Sequence, residues 1–564
     1  MADPPLGRRV ADPPLQQRSA SLERLTSHSW DLLVVGGGIV GAGVLLDAAS
    51  RGLRAALVEQ DDIAVGTSSR SSRLIHGGLR YLEDMRFHLV REALVERARL
   101  LRLAPHLVRL EPFLFPVYGL HLVPRAFYGS GLVLYDLLGA ARDGGRARHL
   151  GAGRVAELVP PIRRGGLRGG ITYHDGVEDD ARFTLAVVRT AVARGATALT
   201  RVRAERLELD ARGGVAGVQV RDVIDGGEWL VRARAVVDAT GVWAGRPDGP
   251  LGRSGVTIVP SRGSHLVIRR DRLPLRVGVT LRIPGRVLFI VPWPGAWLIG
   301  TTDEADTGSP ERPVPTGHEV EGILGMVNEV LDVGLGREDV VGAYAGLRPL
   351  VGVPGGDTVR VSREHKVHRE PSGLVRVSGG KYTTYRIMAR DAVDVALEGA
   401  TERPASVTAD VALVGALPNL QLDRLAGELA TGTGMDPAVM RLLVERHGSL
   451  AEAVVALGRE LDLLRPLGQA GSAAADAAHL EAEVTWAVRH ELALSLDDML
   501  ARRMRLAMCL PDRGASIAPR VAELMGDELG WDAGRQAAEV GAYLAAATRE
   551  YGVPGPVTPV PGSA

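Results

Sequence analysis

Apolar and polar positions alternate with different periods along the chain, and these periods predict its first elements. Residues 32–35 are a short apolar run typical of a buried parallel strand, and Ile39–Ser50 carry apolar residues at helical spacing. Residues 54–58 predict a second strand. The order strand, glycine turn, helix, strand over residues 30–60 indicates an α/β fold with a parallel sheet.

Further along the chain, the spacing of apolar residues changes more than once between helical and strand-like. Helical spacing recurs around residues 87–103 and 183–193, and residues 235–238 form an apolar strand pattern that ends in a small-residue turn. β-branched and aromatic residues are enriched between residues 255 and 310, which predicts antiparallel strands. Those strands are HLVIRR, RVLFIVPW and WLIGTTD. GLVRVSGG at residues 373–380 predicts another strand and turn, followed by a helix from about residue 383.

These patterns predict a nucleotide-binding domain that is interrupted by a second, antiparallel-sheet domain and followed by a helical one. From about residue 405 the chain is helical and rich in leucine and alanine. The predicted boundaries are a disordered extension at 1–29, a discontinuous nucleotide-binding domain at 30–105, 170–255 and 340–400, a substrate domain at 106–169 and 256–339, a helical domain at 401–552, and a loose tail at 553–564.

The turn after the first strand carries the G-x-G-x-x-G spacing of dinucleotide-binding proteins. Gly36 allows the tight turn, Gly38 allows close approach of a pyrophosphate, and Gly41 allows the helix to pack against the strand. The helix N-terminus offers free N–H groups to phosphates. Glu59 ends the second strand, where its carboxylate would accept hydrogen bonds from a ribose and repel a 2′-phosphate, which disfavours NADP.

Composition narrows the function classes. The 564 residues contain 67 Lys+Arg and 67 Asp+Glu, so the zero net charge does not favour a nucleic-acid partner. Cys509 is the single cysteine, which excludes an intrachain disulfide and fits a reducing, cytoplasmic compartment. We predict no metal site, because iron–sulfur and zinc centres need more cysteines and the Asp179-Asp180 pair fits helix capping better.

Four blocks in order resemble one family, the FAD-dependent glycerol-3-phosphate dehydrogenases. They are VGGGIVGAGVLLDAASRG at 35–52, TSSRSSRLIHGGLRYLE at 67–83, AGLRPL at 345–350 and GGKYTTYRIMA at 379–389. Leu45 departs from the usual alanine but leaves the glycines intact. The single cysteine separates the chain from the cysteine-rich anaerobic form. The resemblance implies an FAD-binding Rossmann-like domain, an inserted antiparallel-sheet substrate domain and a C-terminal all-α domain.

The resemblance also implies a reaction, the oxidation of sn-glycerol 3-phosphate to dihydroxyacetone phosphate with electrons passed to a membrane quinone. A phosphate dianion favours several cations, arginine above all. Arg348 either binds substrate or forms a structural ion pair, and Lys381 contacts either the phosphate or flavin N1. The substrate set implied by the resemblance comprises Arg80, Tyr81, Arg348, Arg363 and Lys381.

A proton acceptor and cofactor contacts complete the predicted site. His265 is either the base or a hydrogen-bonded core histidine, and an arginine base stays open. His76 is better suited to flavin positioning. The remaining predicted cofactor contacts, from the hydroxyl-rich loop and the resemblance, are Thr67, Ser68, Ser71, Ser72, Leu74, Gly77, Thr240, Gly241, Gly379, Gly380 and Thr383.

One apolar segment bears on localisation. Residues 126–140 are too short to span a bilayer, and basic residues at 125, 142, 146 and 148 flank them. The segment is predicted to lie at a membrane surface, which would make the protein peripherally membrane-associated; a buried helix or a homodimer contact is the alternative.

Three other functions remain open at this stage. An oxidase of the same family would pass electrons to oxygen, and an FAD amine or amino-acid oxidase would want a carboxylate clamp. The third alternative is a sensor protein that binds flavin but catalyses no reaction.

Overall fold

The computed structural model describes residues 18–78, 87–119, 147–246, 249–252, 255–283, 286–306, 308–352, 364–468 and 478–555. The strands are β1 (Trp30–Val35), β2 (Ala55–Val58), β3 (Leu74–Ile75), β4 (Val108–Tyr118), β5 (Arg148–Leu150), β6 (Leu167–Glu178), β7 (Thr197–Leu199), β8 (Val202–Leu209), β9 (Val215–Asp222), β10 (Glu228–Asp238), β11 (Ile258–Arg269), β12 (Gly278–Ile283), β13 (Arg286–Trp293), β14 (Ala296–Gly300), β15 (Glu304–Ala305), β16 (Val340–Val351), β17 (His365–Arg369) and β18 (Val375–Gly379).

The helices are α1 (Arg18–Ser27), α2 (Ile39–Ser50), α3 (Phe87–Leu103), α4 (Ala152–Leu158), α5 (Asp180–Ala193), α6 (Gly317–Val330), α7 (Tyr385–Ala396), α8 (Asn419–Thr433), α9 (Pro437–His447), α10 (Ala451–Glu460), α11 (Glu481–His490), α12 (Leu506–Cys509), α13 (Ala518–Leu529) and α14 (Ala533–Tyr551). A π-helical turn, Asp498–Arg503, precedes α12. None of the described helices is long and apolar enough to cross a bilayer.

The first sheet forms the nucleotide-binding domain that the sequence predicts. Its described strands run in the order β17-β18-β10-β1-β2-β7, with β9 pairing onto β10 and β8 pairing onto β9. β1 lies parallel to both β10 and β2. Leu32 and Val34 pack in the cluster that contains α2, whereas Leu33 packs with Trp30 and Leu25 on the other side. Both faces of β1 are therefore covered, which explains its unbroken apolar run.

The second sheet is largely antiparallel. Its described strands run β15-β11-β14-β13-β12-β4-β6-β3, with β16 paired to β11 and β5 to β6. β4 and β12 are parallel, and the strands predicted from HLVIRR, RVLFIVPW and WLIGTTD pair antiparallel as expected.

The helical domain packs on this second sheet. One apolar cluster joins helix residues such as Leu443 and Met499 with Phe113, Tyr173 and Tyr344 of the sheet. Cys509 is partly buried against that cluster. The predicted architecture, an α/β domain, an antiparallel sheet and a C-terminal helical domain, is confirmed.

Two predicted domain boundaries are wrong. Residues 170–178 and 340–351 were expected in the nucleotide-binding domain, but β6 pairs along β4 and β16 pairs along β11 in the second sheet. Alternation of apolar and polar residues predicts a strand but does not predict which strand it pairs with. These two strands were therefore assigned to the wrong sheet.

The predicted disordered extension also needs correction. Within residues 1–29, Arg18–Ser27 form α1, whose Leu25 is fully buried. Trp30 Nε1 donates to the Leu25 carbonyl at 3.0 Å, and Arg18 Nη1 donates to the Asp222 carboxylate at 2.9 Å. Burial of one leucine and these two contacts hold a segment whose composition alone suggested disorder.

Candidate active site

In the glycine turn between β1 and α2, backbone atoms from different segments of the chain lie in direct contact. Gly36 has φ +110°, and a Cβ placed there would lie 2.7 Å from the Ala239 carbonyl oxygen. A Cβ on Gly41 would lie 1.9 Å from the Gly36 oxygen. Gly38 caps α2 without any side-chain hydrogen bond. The turn therefore leaves its N–H groups close to the adjoining cavity, as phosphate binding requires.

Glu59 is held at the end of β2 by backbone donors. Its Oε2 accepts from Gly37 N–H at 2.6 Å and its Oε1 from Asp61 N–H at 2.8 Å. Burial raises the pKa of the Glu59 carboxyl to about 7. The ribose contact predicted for Glu59 stays a prediction, and its carboxylate lies on the wall of the same cavity as the glycine turn.

A cavity of about 930 Å³, a size that suits a cofactor, lies against both sheets. Most of the residues predicted from sequence line it although they are far apart in the chain. They are Gly36, Gly38, Glu59, Thr67, Ser68, Ser71, Ser72, Leu74, His76, Thr240, Gly241, His265, Arg348, Gly379, Gly380, Lys381 and Thr383.

A few predicted residues stand apart from this wall. Gly41 lies inside α2, where it allows close packing on the turn. Gly77 follows His76 but does not line the cavity. Arg80, Tyr81 and Arg363 lie outside the described residues, as do residues 126–140 and their flanking arginines at 125, 142 and 146.

The first two hydroxyls of the serine-rich loop bind protein groups. Thr67 Oγ1 donates to the Leu347 carbonyl at 2.6 Å, which ties the loop to β16. Ser68 Oγ accepts from Ile39 N–H, the first residue of α2, at 2.9 Å. The Ser68 proton is thus left to donate toward the cavity, whereas Thr67 acts on the shape of the loop.

The next two hydroxyls connect the loop to other elements. Ser71 Oγ donates to the Asp180 carboxylate at 2.8 Å, and Ser72 Oγ lies 2.8 Å from His265 Nε2. Asp179 caps α5 by accepting from Arg182 N–H, which confirms the predicted capping. Asp180 in addition anchors the serine-rich loop, a role that the sequence did not indicate.

His265 lies in the middle of β11, and not at a strand start as predicted. It is 3% exposed, and its ring stacks on Tyr344 with centroids 4.9 Å apart. Burial lowers the pKa of the imidazole to about 3, helped by the positive charges of Arg348 and Arg73. His265 is therefore neutral at pH 7, and its Nε2 faces Ser72.

Of the two predicted substrate cations among the described residues, Arg348 lies near this histidine and Lys381 lines the same cavity. Arg348 Nη1 donates to the Thr302 carbonyl at 3.2 Å and lies 3.6 Å from the Asp303 carboxylate. Its guanidinium is therefore both ion-paired and on the cavity wall, so the two alternatives left open by the sequence are not exclusive. Lys381, half-buried, immediately precedes the turn that leads into α7 and also lines the cavity.

Sequence reasoning missed several wall residues. Arg70 lies within the hydroxyl-rich block and Arg376 within GLVRVSGG, so both were in segments already considered. Arg376 is 1% exposed and donates to the carbonyls of Leu251 and Gly252 at 2.7 Å. A charged residue inside an apolar strand pattern was the signal that could have found Arg376.

Comparisons with known proteins agree with this geometry. Residues 31–391 match the FAD dependent oxidoreductase family, and residues 406–536 match the C-terminal domain of alpha-glycerophosphate oxidase. A glycerol-3-phosphate dehydrogenase of Mycobacterium leprae is 44% identical over 538 residues, covering 94% of this chain and 90% of that protein. The mitochondrial glycerol-3-phosphate dehydrogenase of Homo sapiens is 36% identical over 544 residues, covering 92% and 73%.

A solved structure extends the match to the whole fold. The glycerol-3-phosphate dehydrogenase from Bacillus halodurans complexed with FAD superposes with a TM-score of 0.78 at 28% identity, covering 95% of this chain and 98% of that one. The glycine turn, the N-terminus of α2 beside the cavity and the acid at the end of β2 fit FAD. The chain belongs to the FAD-dependent glycerol-3-phosphate dehydrogenases.

Proposed function

We propose that this enzyme oxidises sn-glycerol 3-phosphate to dihydroxyacetone phosphate and passes the electrons to a membrane quinone. When bound, FAD supplies the hydride acceptor, flavin N5, for the hydrogen on substrate C2. The observation that carries the proposal is the meeting of a neutral His265 with Arg348 and Lys381 on the wall that also contains the glycine turn.

Binding of the phosphate dianion is assigned to Arg348 and Lys381. Both lie on the cavity wall, and Arg348 keeps its guanidinium oriented through the Thr301 hydroxyl at 3.0 Å and the Thr302 carbonyl. A planar donor held in this way binds a phosphate without first losing much conformational freedom. The resemblance adds Arg80, Tyr81 and Arg363 as further substrate contacts.

Proton acceptance is assigned to His265. The ring is fixed by stacking on Tyr344 and by the hydrogen bond with Ser72, so Nε2 has one orientation. Phosphate bound to Arg348 would offset part of the positive charge that keeps the histidine neutral. We therefore expect the pKa of His265 to rise when substrate binds, which favours transfer of the C2 hydroxyl proton to it.

The test of the substrate is anaerobic. The flavin-loaded protein is mixed with sn-glycerol 3-phosphate while absorbance is followed near ~450 nm, where oxidised flavin absorbs. Rapid bleaching with this substrate, and none with glycerol or amino acids, is the expected result. Absence of bleaching in a flavin-loaded sample would overturn the substrate and favour the amine-oxidase or sensor alternatives.

The test of the base uses two variants in the same assay. His265→Gln is expected to slow bleaching by about 100-fold, the lower limit for loss of general base catalysis. Ser72→Ala should slow it by about 10-fold, because one hydrogen bond to the ring is lost. Both variants should keep stoichiometric FAD. Bleaching at the wild-type rate in His265→Gln would reassign the proton to another group, such as an arginine.

The electron acceptor needs a separate measurement. The second candidate function is an oxidase that passes electrons to oxygen, and the match of residues 406–536 to the C-terminal domain of alpha-glycerophosphate oxidase favours testing it. Reduced enzyme is mixed either with a soluble quinone or with air-saturated buffer. We expect fast reoxidation by quinone and little peroxide; peroxide equal to the substrate consumed would establish the oxidase instead.

Membrane association is proposed from the sequence of residues 126–140 and their basic flanks. Anionic lipid headgroups attract each nearby arginine by about 1 kcal/mol. Arg142, Arg146 and Arg148 are replaced together by Glu, and co-sedimentation with anionic liposomes is measured. Loss of binding is expected. Unchanged binding together with a change from dimer to monomer in sedimentation would assign the segment to a homodimer contact.

A further inference from the structure

The C-terminal helical domain contacts the serine-rich cofactor loop, residues 61–73, through buried charges. Arg503 donates to the Asp62 carboxylate at 2.7 and 2.8 Å. Glu550, near the end of α14, accepts from Arg70, and both of these side chains are buried. Charged groups are removed from water only where they are paired, so this domain and the loop are built to remain together.

Arg505 makes the most central of these contacts. It lies between the π-helical turn and α12, is 3% exposed and has φ 64°. Its guanidinium donates to the Asp180 carboxylate and, at 3.1 Å, to the Ser69 carbonyl, while its Nε lies 3.3 Å from the Asp179 carboxylate. One arginine of the helical domain therefore binds both the start of α5 and the loop itself.

Asp180 connects Arg505 to the serine-rich loop. Its Oδ2 accepts from both Ser71 N–H, at 3.0 Å, and Ser71 Oγ, at 2.8 Å. Tyr344 OH donates to the Ser71 carbonyl at 3.0 Å. The backbone of Ser71 is thus fixed from two sides, and the next residue, Ser72, contacts His265 Nε2.

We propose that Arg505 is a positioning residue that acts through Asp180 and Ser71 to hold Ser72 against His265. This inference rests on the proposed function, because it assigns the helical domain a part in orienting the proton acceptor. Arg505 and Asp180 are buried, whereas Ser71 and Ser72 are partly exposed on the cavity wall, so water cannot replace the link between Arg505 and Asp180.

Loss of the Arg505 guanidinium, whose planar set of donors a lysine cannot reproduce, would disturb the cluster further. Asp180 is fully buried beside Asp179 and Glu178, and the pKa of Glu178 is already raised well above its usual value by burial and by these two neighbouring acids. Without the Arg505 guanidinium, Asp180 would keep Arg73, whose Nε lies 4.0 Å away, as its cation and could turn toward it. That movement takes the carboxylate away from Ser71 and removes the acceptor that fixes it.

The experiment replaces Arg505 with Lys and follows anaerobic flavin reduction by sn-glycerol 3-phosphate. We expect the limiting reduction rate to fall by about 10-fold, its pH profile to shift, and FAD to stay stoichiometric. Arg446→Lys is the matched control, because Arg446 pairs with Glu483 at 2.8 and 2.9 Å inside the helical domain and does not reach the loop. Equal changes of rate and pH profile in both variants would overturn the proposal.

A double variant separates positioning from general loss of structure. If Arg505 acts through Ser72, adding Arg505→Lys to Ser72→Ala should slow reduction little more than Ser72→Ala alone. Multiplication of the two effects would show that Arg505 acts by another route. Asp180→Asn replaces Arg505→Lys in this cycle if the lysine variant does not fold.

A substrate-free measurement keeps this result distinct from failure of the proposed function. The imidazole resonance of His265 is assigned by its disappearance in His265→Gln, and its shift is compared in wild type, Arg505→Lys and Arg446→Lys. We expect it to move only in Arg505→Lys. An unmoved resonance would overturn the positioning role even if glycerol 3-phosphate is the substrate, and a moved one would support it even if another substrate is found.

Discussion

The glycine turn at residues 36–41 and the serine-rich loop at residues 61–73 line the same cavity but are built in different ways. The turn is specified by backbone contacts, within its own strand–helix unit at Gly41 and with Ala239, just after β10, at Gly36. The loop depends on side chains such as Asp180 and Arg505, which lie 109 and 436 residues away along the chain from the loop atoms they bind. The turn therefore depends on close backbone packing, and the loop depends on buried charged side chains from distant parts of the chain.

This difference predicts how substitutions in each region should affect cofactor binding and stability. A change in the turn meets backbone atoms that cannot move aside, so the cofactor site itself should be lost. A change in a loop anchor leaves a buried charge without a partner, so stability and geometry should suffer while the cofactor motif persists.

The largest effect is expected from Gly41→Ala. The added Cβ would lie 1.9 Å from the Gly36 oxygen, and relieving that contact would separate α2 from the turn. We expect more than about 4 kcal/mol of destabilisation, with loss of bound FAD, measured by urea unfolding and flavin absorbance. Gly153→Ala is the control, because nothing lies within 4 Å of a Cβ at this exposed helical position. If Gly41→Ala still bound a full complement of FAD, the turn would be able to adjust to the added Cβ and would not be rigid.

A smaller effect is expected at the loop anchor Asp62. Asp62→Asn leaves Arg502 and Arg503 without their shared carboxylate, and breaking a buried pair costs about 3–5 kcal/mol. Urea unfolding measures the loss. The partly exposed pair Arg489–Glu528 provides the control, since Glu528→Gln should cost no more than about 1 kcal/mol. If the two variants lost similar amounts of unfolding free energy, pairing of the buried Asp62 charge would not be what stabilises this anchor.

The smallest effect, in pH dependence, should have opposite signs for the buried histidines and for Glu59 in the turn region. Burial lowers the pKa of His106 and His265 to about 3 and that of His447 to about 4, from 6.5 when unfolded. The unfolded chain then binds more protons, so stability is lost as pH falls below 6.5. Glu59 in the turn region has a raised pKa of about 7, so its contribution is lost as pH rises from 4.5 through 7.

The histidines with lowered pKa values, His479 and His490 among them, outnumber Glu59 and Glu178, the two carboxyls whose pKa values burial raises most, so the apoprotein should lose at least about 2 kcal/mol between pH 7 and pH 5. Urea unfolding at the two pH values measures this. His106→Gln should weaken the dependence and Glu59→Gln should steepen it, while the exposed His149→Gln leaves it unchanged. A stability that rises on acidification would show that the histidines are not the controlling groups.

The sequence predicted much of the site because that part of the information is local. Gly36, Glu59, His265 and Lys381 stand in motifs whose spacing has a direct backbone meaning, and all four line one cavity. Arg70 was missed because nothing in its immediate neighbourhood separates an arginine on a cavity wall from one on the surface, whereas the signal for Arg376 was its charge inside an apolar strand pattern. The strands β6 and β16 were recognised as strands but assigned to the wrong sheet.

By itself the sequence determined the strand–turn–helix–strand unit, the cofactor class and the family, because period, glycine spacing and turn chemistry act between residues close in the chain. Only the tertiary structure decided that Arg505 meets Asp180 and that Ser72 meets His265. Any arginine can pair with any acid, and burial at a common point in space, which no local pattern encodes, selects the pair that forms.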